Sequence, residues 1–389
     1  MAERIELSIT GLSHDGRGVG RYKGHAVFVA GAVPNEQVIA CVVEKKRRFW
    51  QAKLEQILTP SPERTTPFCE HYGRCGGCQL QHLAPSAQRQ WKQHNLLANL
   101  KRIWADTDFA VLPPLTGAET GYRRRARFHA VRLPTTTVAG FRRWKSHTIE
   151  DISTCPLLEN ALNTAWAEKR QQLLQHPPQK PIQITGVAAD NGLYWSDEKA
   201  TSAPYYILNG LQLYFHPQSF IQVNRQVNEQ MVTQALNWLA LNSSDQALDL
   251  FCGIGNFTLP MAQQAGQVIG VEGVSQAVAL ARHNAQANGL NNTVFHLANL
   301  LEDPTQYAWA QLPYTKVLLD PGRDGAQTVC RWLKPMPLQR LVYVSCNPAT
   351  FTRDSALLKE NGWRLNTLQL LDMFPHTIHT ELIALFLPG

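Results

Sequence analysis

The chain has 389 residues, 44% of them hydrophobic and 17% charged, and its formal net charge is +7. This length exceeds what one hydrophobic core supports, so two or three domains are expected. No stretch approaches the roughly eighteen apolar residues of a membrane-spanning helix, and Glu3, Arg4 and Glu6 interrupt the apolar run that a signal peptide requires. We therefore expect a cytoplasmic protein that does not enter membranes.

Positive charge is concentrated in three short segments, at residues 45–50, 123–127 and 142–145. The first and the last of these segments also contain aromatic residues. Cationic side chains bind phosphates and aromatic rings stack on unpaired bases, so the pattern favours an RNA partner. Any one segment alone is also compatible with a solvated basic surface.

The N-terminal 57 residues have an all-β pattern. Strands are predicted at 5–9, 26–29, 37–43 and 52–57, with a glycine-rich turn through Gly11, Gly16, Gly18 and Gly20. Short strands separated by glycine turns predict a small barrel, because closure removes exposed strand edges.

The glycines, with segments 27–29 and 32–36, resemble a TRAM domain, an OB-like barrel found on RNA-modifying enzymes. Residues 1–60 are assigned to it. Asn35 stands where this turn usually has glycine, and asparagine tolerates the positive φ that the turn requires.

Four of the eight cysteines are candidate metal ligands. Cys69, Cys75 and Cys78 have a five-then-two spacing, and Cys155 follows after a long interval. Four thiolates can close a tetrahedral site, so zinc and an iron–sulfur cluster both fit. The asymmetric interval argues against a zinc ribbon, and the three-then-two spacing of radical-SAM enzymes is absent.

The middle of the chain gives weaker signals. Residues 86–104 are predicted to form an amphipathic helix that packs on the C-terminal domain. Residues 171–180, which include Pro177 and Pro178, are predicted to be a loop. We assign residues 61–212 to a central α+β region that holds the metal ligands and contacts RNA.

Strands and helices alternate from about residue 213. A helix is predicted at 228–239 and another from Phe257, with strands at 247–251, 268–271, 294–297, 316–319, 341–344, 365–371 and 382–387. Strands separated by helices indicate a parallel sheet, and the last three strands permit an antiparallel hairpin at one edge. Residues 213–389 are therefore predicted to form a Rossmann-like α/β domain.

A glycine turn at residues 252–256 follows the first of these strands and allows close approach of a ligand. Thr258 stands where a dinucleotide fingerprint has its third glycine, which favours S-adenosylmethionine (SAM). Glu272 ends the second strand, where an acid can accept ribose hydroxyls. Asn299 and Asp320 follow the third and fourth strands, although each alone is compatible with a capping role.

Cys346 lies just beyond the strand 341–344, between Ser345 and Asn347, and Pro348 ends the strand. Ligands gather at the carboxyl ends of parallel strands. A buried structural cysteine is the general alternative, but polar neighbours favour an exposed nucleophile.

Segments 220–224, 249–253, 344–348 and 372–377 are similar to the RNA uracil-C5 methyltransferases. With the barrel and the cysteines, the chain most resembles members that act on 23S rRNA. This resemblance implies a 4Fe–4S cluster on Cys69, Cys75, Cys78 and Cys155. It also implies SAM contacts by Gln222, Phe251, Asn256, Glu272, Asn299 and Asp320, with Cys346 as nucleophile and Glu381 as base.

Two positions depart from the family pattern. Gly322 stands in the segment after Asp320, where the family has proline or alanine, and we expect it to loosen a loop that positions the target base. Ala298 stands where an acid often precedes Asn299. The expected protein is a monomeric enzyme that forms 5-methyluridine in 23S rRNA. The alternatives are a tRNA uracil-C5 methyltransferase and a non-catalytic TRAM-type RNA-binding factor.

Overall fold

A computed structural model describes residues 3–106, 108–200, 202–334 and 338–389. The chain divides into two compact units. The first comprises Met1–Asn95, Gly140–Ile152 and Phe374–Ile378, and the second comprises Leu96–Ala139, Ser153–Met373 and His379–Gly389. Each unit consists of three separate segments of the chain. The predicted domains at 1–60, 61–212 and 213–389 are consecutive ranges, and this division into three domains remains a prediction.

The first unit contains a closed barrel, as predicted. Its strands are β1 (Arg4–Leu12), β2 (Gly18–Tyr22), β3 (His25–Ala30), β4 (Gln37–Lys45) and β5 (Phe49–Thr59), paired in the order β1-β2-β3-β5-β4. Alternate residues of β1, namely Ile5, Leu7 and Ile9, are buried in its core. This period of two is what a strand with one face inside a barrel requires.

The prediction of a continuous glycine turn after β1 is wrong, because Gly18 and Gly20 belong to β2. A Cβ atom at Gly20 would lie 2.5 Å from the Ser8 carbonyl oxygen, and one at Gly18 would lie 2.8 Å from the Ala32 Cβ atom. These glycines therefore permit close packing inside the barrel, and they are not there to bend the chain.

Helix α1 spans Pro85–Leu100, which confirms most of the predicted helix. Its last turn and the residues after it belong to the second unit, where Leu96, Leu100 and Trp104 are buried in the core. The following strand β6 (Ala110–Leu115) was not predicted. It contains two prolines, which hide the strand pattern and which a sheet tolerates at its edge.

A small antiparallel sheet follows. It contains β7 (Arg125–Arg132), β8 (Thr137–Arg142), β9 (Ile149–Asp151), β10 (Ile182–Ala189) and β11 (Gly192–Trp195). The chain passes from the second unit into the first within β8, whose last residues pair with β9. A separate hairpin is formed by β12 (Tyr205–Leu208) and β13 (Leu211–Tyr214).

Helix α2 (Asn160–Gln175) packs against this sheet, where the rings of Trp166 and Phe128 stack with centroids 3.8 Å apart. The loop predicted at 171–180 is therefore wrong for its first half, because the helix continues and buries Leu173. Pro177 and Pro178 follow shortly after the helix end, in agreement with their effect as helix breakers.

The second unit is built on an eight-stranded sheet in the order β16-β15-β14-β17-β18-β20-β19-β6. Its remaining strands are β14 (Gln246–Leu250), β15 (Gln267–Glu272), β16 (Thr293–Leu297), β17 (Lys316–Leu319), β18 (Arg340–Ser345), β19 (Trp363–Leu371) and β20 (Glu381–Pro388). Its remaining α-helices are α3 (Arg225–Leu239), α4 (Thr258–Ala262), α5 (Ser275–Ala287), α6 (Gln327–Trp332) and α7 (Pro348–Glu360).

Strands β14 to β18 are parallel, and β19 and β20 form an antiparallel hairpin. The predicted Rossmann-like sheet is confirmed, although β6 lies beyond the hairpin at that edge. Within the described ranges, no helix is long and apolar enough to cross a membrane.

Candidate functional site

The carboxyl ends of the central strands meet at one edge of the sheet. The register aligns Leu250 of β14 with Val271 of β15 and with Leu319 of β17. The next residues along these strands are Phe251, Glu272 and Asp320, so the structure brings these three predicted residues to one level. They line the crevice that ligands occupy in open parallel sheets.

The glycine turn after β14 has a backbone shaped for close approach. Phe251, Gly253 and Gly255 all have positive φ, of 66°, 55° and 96°. A Cβ atom at Gly255 would lie 2.1 Å from a side-chain carbon of Leu259, so only glycine fits there. The backbone N–H of Phe251 donates to the carbonyl of Val271 at 2.9 Å, which ties the turn to β15.

The carboxylate of Glu272 is fixed beside this turn. Its Oε2 accepts from the N–H of Gly253 at 3.1 Å, and its Oε1 accepts from the N–H of Val274 at 2.9 Å. Each carboxylate oxygen has a second lone pair, and the side chain is only half-buried. Glu272 is therefore oriented and can still accept hydrogen bonds from a ligand.

Two carboxyl groups at this edge of the sheet, those of Asp249 and Asp320, have raised pKa values. Burial raises the pKa of Asp249 to about 8, and the negative charges of Asp320 and Glu272 add to this effect. The hydroxyl of Thr258 donates to Asp249 Oδ2 at 2.5 Å and opposes the shift. Burial also raises the pKa of Asp320 to about 7. Thr258, which stands where a dinucleotide site would have its third glycine, thus holds Asp249 by this hydrogen bond.

The amide of Asn256 is engaged by other side chains. Its Oδ1 accepts from the Tyr206 hydroxyl at 3.0 Å and from Asn228 Nδ2 at 3.1 Å. Its Nδ2 donates to Asn228 Oδ1 at 3.0 Å. Asn299, the other predicted asparagine, has different surroundings from Asn256. It is exposed, and its Oδ1 accepts from the backbone N–H of Leu301.

A buried arginine supports the segment that carries Gln222. Arg124 is 1% exposed, its Nε donates to the Gln222 carbonyl at 2.9 Å, and its guanidinium lies 4.3 Å from the centre of the Tyr206 ring. Its two Nη atoms have no hydrogen-bond partner among the described residues. Burial lowers the pKa of Arg124. Arg124 therefore links Gln222 to Tyr206 and, through it, to Asn256.

This burial corrects the prediction that the whole basic segment at 123–127 contacts RNA, because Arg124 is inside the protein. The sequence contains a pattern that indicates this burial. Arg124 is the first of four alternate positions, and the other three are buried apolar residues, namely Ala126, Phe128 and Ala130. A charged residue in phase with an apolar face is an inward-facing position.

The pairing of β18 with β20 brings Cys346 to Glu381. In this antiparallel pair Ser345 lies opposite Leu382, and Cys346 and Glu381 are the next residues beyond these two at the same end of the pair. The charge of Glu381 acts on the Cys346 thiol, which shows that the two groups are close. Cys346 is half-buried and Glu381 is buried. As predicted, Cys346 lies at the carboxyl end of its strand.

The helix after Cys346 fixes the facing loop. Asn347 caps α7, accepting from the N–H of Ala349, and its Nδ2 donates to the Arg323 carbonyl at 2.9 Å. The hydroxyl of Thr350 donates to the same carbonyl at 3.2 Å. At neighbouring Gly322 an added Cβ atom would meet nothing within 4 Å. The loop is therefore held by two hydrogen bonds to the Arg323 carbonyl, one residue after Gly322, which was expected to loosen it.

Burial, together with the charges of Glu381 and Asp320, raises the pKa of the Cys346 thiol to about 11, and the Arg323 cation partly opposes this shift. Cys252 and Cys330 are almost completely buried, and burial raises both of their pKa values well above the ordinary range. Cys346 is thus the cysteine of the crevice that a substrate can reach.

The four cysteines predicted to bind a metal belong to different units. Cys69, Cys75 and Cys78 lie in the first unit, and Cys155 lies in the second. All four thiols are half-buried and outside any disulfide, and the N–H of Gly77 donates to Cys75 Sγ at 3.3 Å. Across the part of the chain that the structure describes, no three Cys, His, Asp or Glu side chains are arranged to hold a metal ion.

Comparison with known proteins gives concordant results. Residues 146–387 match the family model described as tRNA (uracil-5-)-methyltransferase. The 23S rRNA (uracil(1939)-C(5))-methyltransferase RlmD of Vibrio cholerae is 41% identical, with 98% of this chain and 95% of that protein covered. The protein of the same name from Aeromonas hydrophila is 40% identical, with 99% and 96% covered.

Among solved structures, the tRNA (uracil-54, C5)-methyltransferase of Pyrococcus abyssi in complex with S-adenosyl-L-homocysteine is similar. Its TM-score is 0.76 at 23% identity, and the match covers 98% of this chain and 100% of that chain. At this identity the likeness establishes the fold.

We predict that charge changes around Cys346 move its titration in opposite directions. Glu381→Gln removes a negative charge that opposes the thiolate, so the thiol pKa should fall below about 11. Arg323→Gln removes a stabilising cation, so the pKa should rise. The rate of Cys346 alkylation by iodoacetamide as a function of pH, followed by peptide mass, measures both shifts. Arg331→Gln, an exposed position on α6, is the control, and equal midpoints in all variants would contradict the geometry.

Proposed function

The chain belongs to the family of RNA uracil-C5 methyltransferases, and from this premise we propose that it transfers a methyl group from SAM to C5 of a uridine in 23S rRNA. One observation supports the proposal: the half-buried thiol of Cys346 and the buried carboxyl of Glu381 lie at the same end of the β18–β20 pair, close enough for the Glu381 charge to act on the thiol. A nucleophile and a proton acceptor within reach of one base are what this chemistry needs.

The choice of 23S rRNA over tRNA rests on the relatives. Those at 40–41% identity over nearly the whole chain are named for 23S rRNA, whereas the similar tRNA enzyme is 23% identical. A non-catalytic RNA-binding factor would have no use for a half-buried thiol beside a buried acid. The cytoplasmic location expected from the sequence agrees with a ribosomal RNA substrate.

We propose that SAM binds across the carboxyl ends of β14, β15 and β17. Glu272, already oriented by two backbone N–H groups, accepts hydrogen bonds from ribose hydroxyls. Phe251 and Asp320 line the same level of the crevice, and the other proposed contacts come from Gln222, Asn256 and Asn299. SAM supplies a methyl group made electrophilic by a sulfonium.

Uracil C5 is a weak nucleophile, so Cys346 acts first. Its thiolate forms a bond to C6 of the uracil ring, and the electron pair of the C5–C6 double bond moves to C5 and the O4 carbonyl. C5 then takes the methyl group, and the bond between that carbon and the sulfonium sulfur breaks, so that S-adenosylhomocysteine would leave. Before C6 is attacked, the half-buried thiol of Cys346 loses its proton to solvent, and the Arg323 cation favours this ionisation because it opposes the raised thiol pKa.

Glu381 completes the reaction as the base. After methylation C5 carries both a proton and the methyl group, and the carboxylate of Glu381 removes the proton. The C5–C6 double bond re-forms, the C6–S bond breaks, and Cys346 leaves as a thiolate. The uridine must be unstacked for the thiol to reach C6, so the substrate is a loop or a flipped base.

We further propose that Cys69, Cys75, Cys78 and Cys155 bind a 4Fe–4S cluster. The support is the donor set: four thiols of intermediate burial, three of them within ten residues. The Gly77 N–H that donates to Cys75 Sγ is the kind of bond that stabilises a cluster thiolate. The proposal rests on this chemistry, since the side chains are not gathered as a coordination shell.

The order of chemical steps predicts two different failures. Cys346→Ala should give no methyl transfer and no covalent complex, because no bond to C6 can form. Glu381→Gln should add to the base, accept the methyl group and stall, because the C5 proton has no acceptor. The expected product is a methylated protein–RNA adduct that survives denaturing electrophoresis.

Two matched variants serve as controls for the adduct. Cys41→Ala removes a half-buried thiol on β4, and Glu360→Gln removes an exposed carboxylate at the end of α7; both should methylate normally. An adduct formed by Cys346→Ala, or one attached through Cys252, would overturn the assignment of the nucleophile.

Metal analysis tests the cluster. Protein purified without oxygen should contain about four iron and four sulfide ions per chain. Serine at any of the four proposed ligands should lower the iron content sharply, whereas Cys41→Ser should not. Stoichiometric zinc without iron or sulfide would refute the cluster and leave the methyl-transfer proposal untouched.

A further inference from the structure

The cysteine-rich loop of the first unit is hydrogen-bonded to a basic turn. The N–H of Gly76 donates to the Arg142 carbonyl at 2.9 Å, and the N–H of Trp144 donates to the Arg74 carbonyl at 3.3 Å. A Cβ atom at Gly76 would lie 2.9 Å from that Arg142 oxygen, so glycine is required at this contact. The loop and the turn therefore hold one another in place.

A buried carboxylate organises two arginines of these segments. Glu150 is 5% exposed; its Oε1 accepts from Arg74 Nε at 2.7 Å and its Oε2 accepts from Arg143 Nε at 2.9 Å. Glu150 Oε1 also lies 3.3 Å from His71 Nδ1, so this one carboxylate is shared by two guanidiniums and an imidazole. The arginine side chains are 53% and 48% exposed, and each has further N–H donors on its Nη atoms.

An exposed tryptophan lies beside these cations. Trp144 is 42% exposed, so its indole ring is accessible from solvent. The Nζ of Lys145 lies 5.4 Å from the centre of its ring. A cation on one face of the indole leaves the other face as a stacking surface for a nucleobase.

We propose that Arg74, Arg143, Trp144 and Lys145 form a docking surface for a single-stranded segment of the RNA substrate. The two arginines bind phosphates, and Trp144 stacks on an unpaired base. This inference rests on the proposed function, since it adds a second contact to the same RNA. A protein partner is disfavoured because the surface has one aromatic ring among cations and lacks an apolar centre.

The role of Glu150 follows from this arrangement. Arginine side chains lose conformational freedom when they bind phosphate, and Glu150 reduces that loss by holding both guanidiniums beforehand. The hydrogen bond from the Gly76 N–H to the Arg142 carbonyl likewise holds the backbone of the basic turn in place before RNA binds. The cysteine-rich loop thus acts as the support of an RNA-binding surface.

Binding measurements with a transcribed fragment of 23S rRNA test the surface. Trp144→Ala should weaken affinity about five- to a hundredfold, and Trp144→Phe should retain most of it, since phenylalanine also stacks. The double variant Arg74→Gln, Arg143→Gln should lower the slope of log affinity against log salt by roughly one to two. Methyl transfer at saturating RNA should keep its kcat while KM rises.

Arg364→Gln is the control, because it removes an exposed arginine of β19 in the other unit. Unchanged affinity and salt slope in the Trp144 and arginine variants, with normal methylation, would refute the docking surface alone. Weakened binding to whole ribosomal particles but not to naked RNA would identify a protein contact instead. A wild-type protein that methylates no 23S rRNA would refute the proposed function, whatever its affinity for the fragment.

Discussion

The candidate site depends on the antiparallel pairing of β18 with β20. These strands are separated along the chain by α7 and β19, and their pairing in the sheet brings Cys346 and Glu381 to the same end of the pair. Side chains alternate between the faces of a sheet, so a register slip of one residue would turn one of the two groups to the other face. The buried neighbours Tyr343 and Leu382 fix the register, because each would lose its core contacts in any other pairing.

The crevice is electrostatically suited to a cationic cofactor. Glu272, Asp320 and Glu381 bring acidic groups to the carboxyl edge of the sheet. Burial, together with the charges of Glu381 and Asp320, raises the pKa of Cys346, so this thiol is protonated at rest. A positive charge in a partly buried anionic site is stabilised more strongly than in water. The same carboxyls that restrain the thiol thus favour SAM, which ties nucleophile activation to an occupied pocket.

Local patterns predicted most of this architecture, because strand periodicity and polar residues at strand ends are visible in short windows. The sequence indicated Cys346, Glu272 and Asp320 in this way, and the structure gathers the last two with Phe251. Long-range effects escaped it. Strand β2 is hidden by glycines that serve packing, β6 by its prolines, and the placement of residues 374–378 in the first unit by backbone bonds from Gln79 and Leu80 to His376. The burial of Arg124 is visible only in its alternation with the buried residues Ala126 and Phe128, because a run of arginines by itself indicates a solvated surface.

Mass mapping of 5-methyluridine in cellular rRNA and tRNA tests most directly whether this protein methylates a uridine of 23S rRNA with Cys346 as its nucleophile. Cells that lack the protein should lose one 5-methyluridine from 23S rRNA and none from tRNA. Wild-type protein should restore the modification, and Cys346→Ser, which keeps the size of the side chain but is a far weaker nucleophile, should not. Loss of the modification from tRNA with 23S rRNA unchanged, or full restoration by Cys346→Ser, would contradict the account.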